Sequence, residues 1–356
     1  MNTQNLVFCI ILIVIVVTII YLISSEKDCR VSSSIKTRTV FDSQKIDKTL
    51  STYQVQNKYH TKTSKSETIP VYERHDDRVI VLAAPIVSKI SLPVHFDARK
   101  RWPGYITEVM DQGSCGSCWA FSSCSVFSDR IKIATGGSDL QSRDHISQYH
   151  LAACMKCGSH QNNKVCNSVC SGHYMDEVLD YIKKVGGYST IEINRNSPSN
   201  GSQYICFEPK NGQYAKKYKA KSSYRVNPYT VGQLNSRDRR AENEYAIMHE
   251  IFKHGPVTTT VKVFDPMSRE RIHQNFYFHS TGIFGTGWEK GDPRETDGYH
   301  AISIIGWGEE VHNGKNVKYW LIRNSWGDDW GVKGIGKIVR GENRAIVESD
   351  IWAMTY

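Results

Sequence analysis

The apolar positions of this chain change their rhythm twice. Residues 6–23, "LVFCIILIVIVVTIIYLI", run for eighteen positions without a charge. At a rise of about 1.5 Å per residue this makes ~27 Å of helix, close to the hydrocarbon thickness of a bilayer. A secretory leader has a basic start and a shorter apolar core, whereas "MNTQN" carries no Lys or Arg and the run is too long. The pattern predicts an uncleaved single-pass anchor within residues 1–23, with Cys9 as one more small apolar residue of the span. Residues 24–91 then lose all periodicity. They are rich in Ser, Thr and Lys and poor in aromatics, the composition of a stalk, a linker or a removable segment. Only their late part, "RVIVLAAPIVSKI", is apolar and β-prone, which predicts that it docks on another surface.

Residues 92–356 read as folded protein in two successive styles. The stretch Cys118–Ala134 contains no Gly or Pro and spaces Ala120, Cys124, Phe127, Ile131 and Ala134 by alternating steps of four and three. That spacing predicts a helix with one buried stripe. "YMDEVLDYIKKVGG" predicts a second amphipathic helix, stopped by Gly186 and Gly187, and "ENEYAIMHEIFKHG" a third near the junction of the two styles. From Val257 onward "VTTTVKVF", "YHAISIIGWG", "KYWLIRNSW" and "GIGKIVRG" read as strands. Helices first and strands later predict an α+β fold of two packed lobes, with a site between them.

Composition changes this picture in two ways. The net charge is +9, but the Lys and Arg are scattered without a long basic block, which implies solubility and some attraction to acidic surfaces and no nucleic-acid footprint. The chain holds ten cysteines, several at short spacings between Cys154 and Cys170, which suits either a disulfide framework or a metal site. No internal repeat or low-complexity tract is present.

The candidate chemistry starts from "DQGSCGSCWAFSSC", residues 111–124. A thiol is mostly protonated at neutral pH, and a helix N-terminus or a neighbouring imidazolium lowers its pKa. Cys118 stands where the long helix begins. A base has to come from elsewhere, and His300, at the start of a predicted strand, is the candidate. Its ring needs a partner to fix its tautomer, which Asn324 at the end of the next strand can supply. Gln112 offers an amide donor for an oxyanion, with the backbone N–H of Cys118 as a second.

These residues, in "QGSCGSCWAF", "HAISIIGWG" and "NSWG", resemble the papain family of cysteine proteases, and "LPVHFDARKRWPG" with "FSDRI" resembles its cathepsin B branch. The resemblance spans residues 92–356. It implies a papain-like α+β fold, a helical lobe facing a β-rich lobe across a cleft. It implies peptide-bond hydrolysis through an acyl-enzyme, with no cofactor or metal. Cys118 would be the nucleophile, His300 the base and then the acid, Asn324 its orienting group and Gln112 the oxyanion donor. Gly116, Gly172 and His173 would lie along the substrate, Trp326 would shield the His300–Asn324 pair, and Asp350 would floor the pocket for the second residue upstream of the cut. The resemblance pairs Cys115 with Cys170 and Cys154 with Cys206, leaving Cys157 and Cys166 for a short local loop.

The sequence departs from the family at several points. "CSGH" puts His173 where the family has a second Gly, so a side chain crowds that wall. The segment "GGYSTIEINRNSPSNGSQYIC" lacks the His pair of the cathepsin B insertion that blocks the primed end of the cleft, which predicts an endopeptidase. Residues 24–91 lack the helical signature of the family's prosegments. Lys132 and Ala345 stand where relatives have Cys. Three rival readings compete with a peptidase: a Cys115-x-x-Cys118 redox pair, a zinc module built on Cys154, Cys157, Cys166 and Cys170, and an inactive peptide-binding relative. The first lacks a surrounding βαβ pattern, the second lacks the usual knuckle spacing, and the third is opposed by an intact catalytic set.

Orientation divides two signals. Lys27, Arg30, Lys36 and Arg38 follow the span and would hold the C-terminal part in the cytosol. The cysteine framework favours a lumenal, extracellular or enveloped-particle setting, and is given the greater weight. On that side Asn200 would be a glycosylation acceptor.

Overall fold

The computed structural model describes residues 70–75, 78–83, 90–141, 143–155, 169–170, 172–191, 206, 216–227, 229, 231–263, 276, 281–286 and 298–356. The proposed anchor at 6–23, most of the 24–91 segment, Asn200, Cys157 and Cys166 fall outside them. Among the described residues no helix is long and apolar enough to cross a membrane.

The elements in chain order are β1 (Pro70–His75), β2 (Arg78–Ala83), β3 (Phe96–Asp97), α1 (Ala98–Arg101), α2 (Cys118–Thr135), α3 (Gln148–Cys154) and α4 (Met175–Lys184). There follow β4 (Gly187–Tyr188), β5 (Lys217–Tyr218), β6 (Ser222–Arg225), α5 (Arg237–His254), β7 (Val257–Val263), β8 (Gly298–His312), β9 (Lys315–Arg323), β10 (Ile335–Val339) and β11 (Trp352–Thr355). The helices α1 to α4 come first, α5 follows, and the long strands β7, β8 and β9 come after it. Two apolar clusters match that division. One is built from α2, α3 and α4 around Trp119, Phe127, Leu151 and Leu179; the other, around Ile304, Trp307, Trp320 and Ile338, lies in the sheet.

Local chemistry explains the helix ends. α2 runs until Gly136 takes a left-handed φ of 59°, and the Gly136 N–H bonds back to the carbonyl of Lys132. α4 buries Met175, Val178, Leu179 and Ile182, with Asp176 and Glu177 in its first turn and Lys183 and Lys184 in its last, matching the helix dipole. It stops at Gly186, whose φ is +84° and where a Cβ would sit 2.5 Å from the carbonyl oxygen of Tyr218.

The predicted single buried stripe on α2 is corrected by the structure. Every residue from Cys118 to Lys132 is buried, while Ala134, expected inside, is exposed. The cause is position: α2 packs against α3 and α4 on one side and against β7, β8 and β11 on the other, so it has no solvent face until its last turn. Its polar residues are answered accordingly. Arg130 donates to the carbonyls of Pro256 (2.7 Å) and Met354 (3.0 Å) and to Glu250 (2.9 Å), and Asp129 pairs with Arg323 of β9 at 2.9 Å. Burial works against the charge of Glu250, yet Arg130 beside it holds that carboxyl below its ordinary pKa.

The main sheet has the order β10-β9-β8-β7-β11-β6-β1-β2, with β3 also pairing to β8. The hairpin β1–β2 joins its end through Tyr72 opposite Arg225 and Glu73 opposite Tyr224, so the apolar 78–83 stretch expected to dock is the outer strand of this sheet. The β8–β9 hairpin turns at Asn313 (φ 49°) and Gly314 (φ 74°), the Asn-Gly signature of a two-residue turn with both residues at positive φ. The ladder starts with His312 opposite Lys315, is interrupted by one irregularity between Ile304 and Gly306, and resumes with Ile304 opposite Ile322 and Ser303 opposite Arg323.

Candidate active site

The β8–β9 register decides what meets at the end of these strands. With Ser303 opposite Arg323, continuing the antiparallel count brings His300 abreast of residues just beyond β9. His300 Nε2 lies 2.7 Å from Asn324 Oδ1, and the ring of Trp326 stacks on the imidazole with centroids 4.5 Å apart at 29°. Asn324 Oδ1 also accepts the N–H of Ser325 at 2.8 Å, which marks it as the acceptor atom of the amide. The proton on His300 is therefore on Nε2. Its Nδ1 is buried and makes no hydrogen bond.

The other half of the site comes from α2. Cys118 is its first residue and is fully buried. The N–H of Ala301, the residue after His300, points at the Cys118 sulfur from 3.4 Å, which brings the helix start and the strand start together. Cys118 is disulfide-bonded in this structure, and the pairs between described residues are Cys115–Cys170 and Cys154–Cys206. Cys124, expected as plain core, is a free and fully buried thiol pushed above its ordinary pKa by burial.

Gln112 reaches the site through the antiparallel bridge Asp111–Trp326 and its own N–H to Ser325 O bond of 2.8 Å. Its Nε2 donates to the carbonyl of Cys115 at 2.9 Å, and its Oε1 accepts from the Ser325 hydroxyl at 2.5 Å. Ser325 was not singled out from the sequence, although it sits inside "NSWG". Its two bonds tie the orienting amide of Asn324 to the donor amide of Gln112. Phe276, also missed, places its ring 5.6 Å from Trp326 and 6.3 Å from His300. Burial drives the His300 pKa down to about 4, with the Asn324 bond acting the other way, so the ring is a neutral base.

The remaining candidates surround this pair. Gly116 is buried between Cys115 and Ser117, and Gly172 is half-buried. His173 is buried against Trp119. Asp350 is buried, with Oδ1 accepting from Trp352 Nε1 at 2.7 Å and Oδ2 from the Thr260 hydroxyl at 3.1 Å. Thr260 stands opposite Ala301 in the β7–β8 ladder, so Asp350 lies one strand away from the site. The sulfur pairings also remove the zinc module and the Cys115–Cys118 redox pair, because Cys154 is joined to Cys206 and Cys115 to Cys170. Among the described residues no cluster could hold a metal ion.

Comparison with known proteins adds the following. Residues 92–355 match the family model described as papain family cysteine protease. The chain is 31% identical over 277 residues to cathepsin B-like cysteine proteinase 3 of Caenorhabditis elegans, covering 74% of this chain and 65% of that protein. It is 30% identical over 269 residues to the human tubulointerstitial nephritis antigen-like protein, covering 72% of this chain and 53% of the relative. The chain thus spans between half and two thirds of the length of these relatives. The solved structure of procathepsin B S9 from Trypanosoma congolense superposes with a TM-score of 0.53 at 24% identity, over 75% of this chain and 78% of that one. Procathepsin L 3 of Tenebrio molitor gives a TM-score of 0.52 at 21% identity, over 76% and 72%.

Proposed function

The chain belongs to the papain family of cysteine proteases, and from that premise we propose that it is a cathepsin B-like endopeptidase working through a Cys118–His300 acyl-enzyme. The observation that carries this reading is the state of His300. Its Nε2 proton is held by Asn324, and its unpartnered Nδ1 is left to take a proton beside the sulfur-bearing start of α2.

The chemistry follows from those atoms. An added thiol reductant, itself oxidised to a disulfide, frees the Cys118 thiol, whose proton passes to His300 Nδ1, and the helix N-terminus favours the resulting thiolate. The sulfur attacks the peptide carbonyl carbon. The oxyanion is met by the Cys118 N–H and the second hydrogen of Gln112 Nε2, whose orientation Ser325 fixes. The intermediate collapses by expelling the amine, which takes the proton from His300, and leaves a thioester. Water then gives a proton to His300 and attacks the thioester, and the proton returns to the sulfur. Trp326, stacked on the ring, keeps solvent from the His300–Asn324 bond.

Two finer points rest on the sequence. The segment between Gly186 and Cys206 lacks the His pair of an occluding insertion, which supports internal cleavage rather than removal of C-terminal dipeptides. Asp350 is proposed to favour Arg or Lys at the second residue upstream of the cut; burial raises its pKa while Arg225 and its two hydrogen bonds pull it down. A matched substrate pair tests this: Asp350→Ala should cost the Arg substrate more than the Phe substrate, and equal losses sink the idea. We also retain residues 6–23 as a membrane anchor, checked by whether alkaline carbonate extracts the full chain.

The central test is covalent. After mild reduction, a cysteine-directed epoxide should label Cys118, and His300→Ala should abolish the label. Labelling spread over several cysteines, or unchanged in that variant, would overturn the mechanism.

A further inference from the structure

The four residues of β6 pair on one side with β11, from Ser222 opposite Thr355 to Arg225 opposite Trp352. On the other side β1 meets them, with Tyr72 opposite Arg225 and Glu73 opposite Tyr224. Taken away, β1 would leave that side of β6 as a sheet edge, a row of main-chain N–H and C=O groups open to any other strand. The hairpin needs β6 as much. β1 and β2 pair at six positions, from Pro70 opposite Ala83 to His75 opposite Arg78, but a two-stranded hairpin alone is marginal in water. β6 supplies the third strand.

Neither the active site nor the family match accounts for this contact. The match begins at residue 92, so two strands of the sheet come from ahead of it. In the order β8-β7-β11-β6-β1, four strand spacings separate β1 from β8, about 19 Å along the sheet. The chain is also fastened on both sides of residues 84–89. Before them β1 is held on β6. After them the Ile90 N–H donates to the Tyr245 hydroxyl of α5 at 2.8 Å, and that hydroxyl donates back to the Ile90 carbonyl at 3.3 Å. Just beyond, Trp307 Nε1 donates to the Pro93 carbonyl at 2.9 Å. A break in the backbone between the two fastenings costs none of these bonds.

We propose that residues 70–83 are a lasting part of the catalytic domain: the β6 edge is a strand-binding surface whose partner is this hairpin, and it keeps the hairpin after the chain is cut within 84–89. Such a cut yields a two-chain protein. The part of the chain ahead of the hairpin, the apolar run at 6–23 included, stays with the two lobes and is not shed. Main-chain pairing supplies the affinity, as in other strand additions. The proposal asks nothing of the Cys118 sulfur and stands apart from the peptidase reading.

The test uses the full chain in mild detergent, with residues 84–89 replaced by the recognition sequence of a site-specific protease. Cys118→Ser removes self-cleavage, and Cys9→Ser with Cys29→Ser removes any disulfide that could join the two pieces. After the cut, the N-terminal piece should co-elute with the lobes in gel filtration at micromolar concentration and separate in denaturant. Amide exchange over β6 should match that of the uncut protein. Tyr72→Pro and Glu73→Pro test the contact itself. Successive residues of a strand bond to opposite neighbours, so one proline removes an N–H bonded to β6 and the other an N–H bonded to β2. Each should weaken retention about 10-fold, the scale of one lost ladder bond, read as the concentration at which half of the cut pieces separate. Pieces that part at micromolar concentration in the cut parent overturn the proposal. So does faster exchange over β6 after the cut, or retention that neither proline weakens. The exchange comparison needs neither variant, so it decides the matter even where a proline prevents folding. A negative result leaves the epoxide labelling of Cys118 untouched, so the two readings fail separately.

Discussion

Each lobe buries one neutral imidazole against a tryptophan. In the β-rich lobe His300 stacks on Trp326 at 4.5 Å, and in the helical lobe His173 lies 4.4 Å from Trp119. Both have an unbonded Nδ1, and burial lowers both pKa values to about 4. They differ in one partner: Asn324 grips Nε2 of His300, whereas the Glu177 carboxylate stands 4.0 Å from His173 Nδ1. Burial and an aromatic neighbour therefore do not make a base. What sets His300 apart is a tautomer fixed by Asn324 and the sulfur-bearing start of α2 brought up against the next residue, Ala301.

The comparison can be broken most strongly at His300. His300→Ala should lower kcat/KM by about 10⁴-fold or more, the scale seen when a member of such a catalytic set is lost, whereas His173→Phe should cost about 5-fold or less; steady-state kinetics on one peptide after reduction reads both. Next comes acid. From pH 6.5 down to about 4 an unfolded histidine binds a proton that the folded ring refuses, so stability falls as pH drops through that window and levels off below it. Each histidine contributes up to about 3 kcal/mol to that loss. His173→Phe should shrink the fall in denaturation midpoint between pH 7 and pH 4, and an unchanged fall counts against a neutral buried ring.

Asn324→Ala sharpens the contrast by making His300 resemble His173. The ring stays buried and loses its grip, so kcat should fall about 100-fold with little change in KM, the scale of a misplaced reacting group. The smallest effect concerns Ser325. Ser325→Ala removes the hydroxyl that orients Gln112, and kcat should fall about 5-fold. Gln112→Ala in that background should then cost less than it does alone, because the two act on one donor.

Much of this site was legible because each chemical role carries a local signal. A Gly-free helix start marks Cys118, and two short strand motifs mark His300 and Asn324. Other features were not, for physical reasons. The burial of α2 on all sides depends on both lobes closing on it, and its sequence stripe reports one of them. The resemblance puts Asp350 at a pocket floor, but that Trp352 and Thr260 claim both its oxygens shows only in the packed chain. The orphaned nitrogen of His173 exists only after packing, since sequence shows the residue and not what fails to reach it.

The Asn313–Gly314 turn is a dozen residues from His300, which is about 40 Å along a strand. Together with the irregularity beside Ile305 it sets how the two strands are counted against each other. The placement of His300 beside Asn324 thus depends on an integer. Residues along the hairpin can be exchanged as long as each face keeps its character, but adding or deleting one between the turn and the site would carry His300 to the opposite face of the sheet. The part of the chain most tolerant of new spelling is the part least tolerant of a new length.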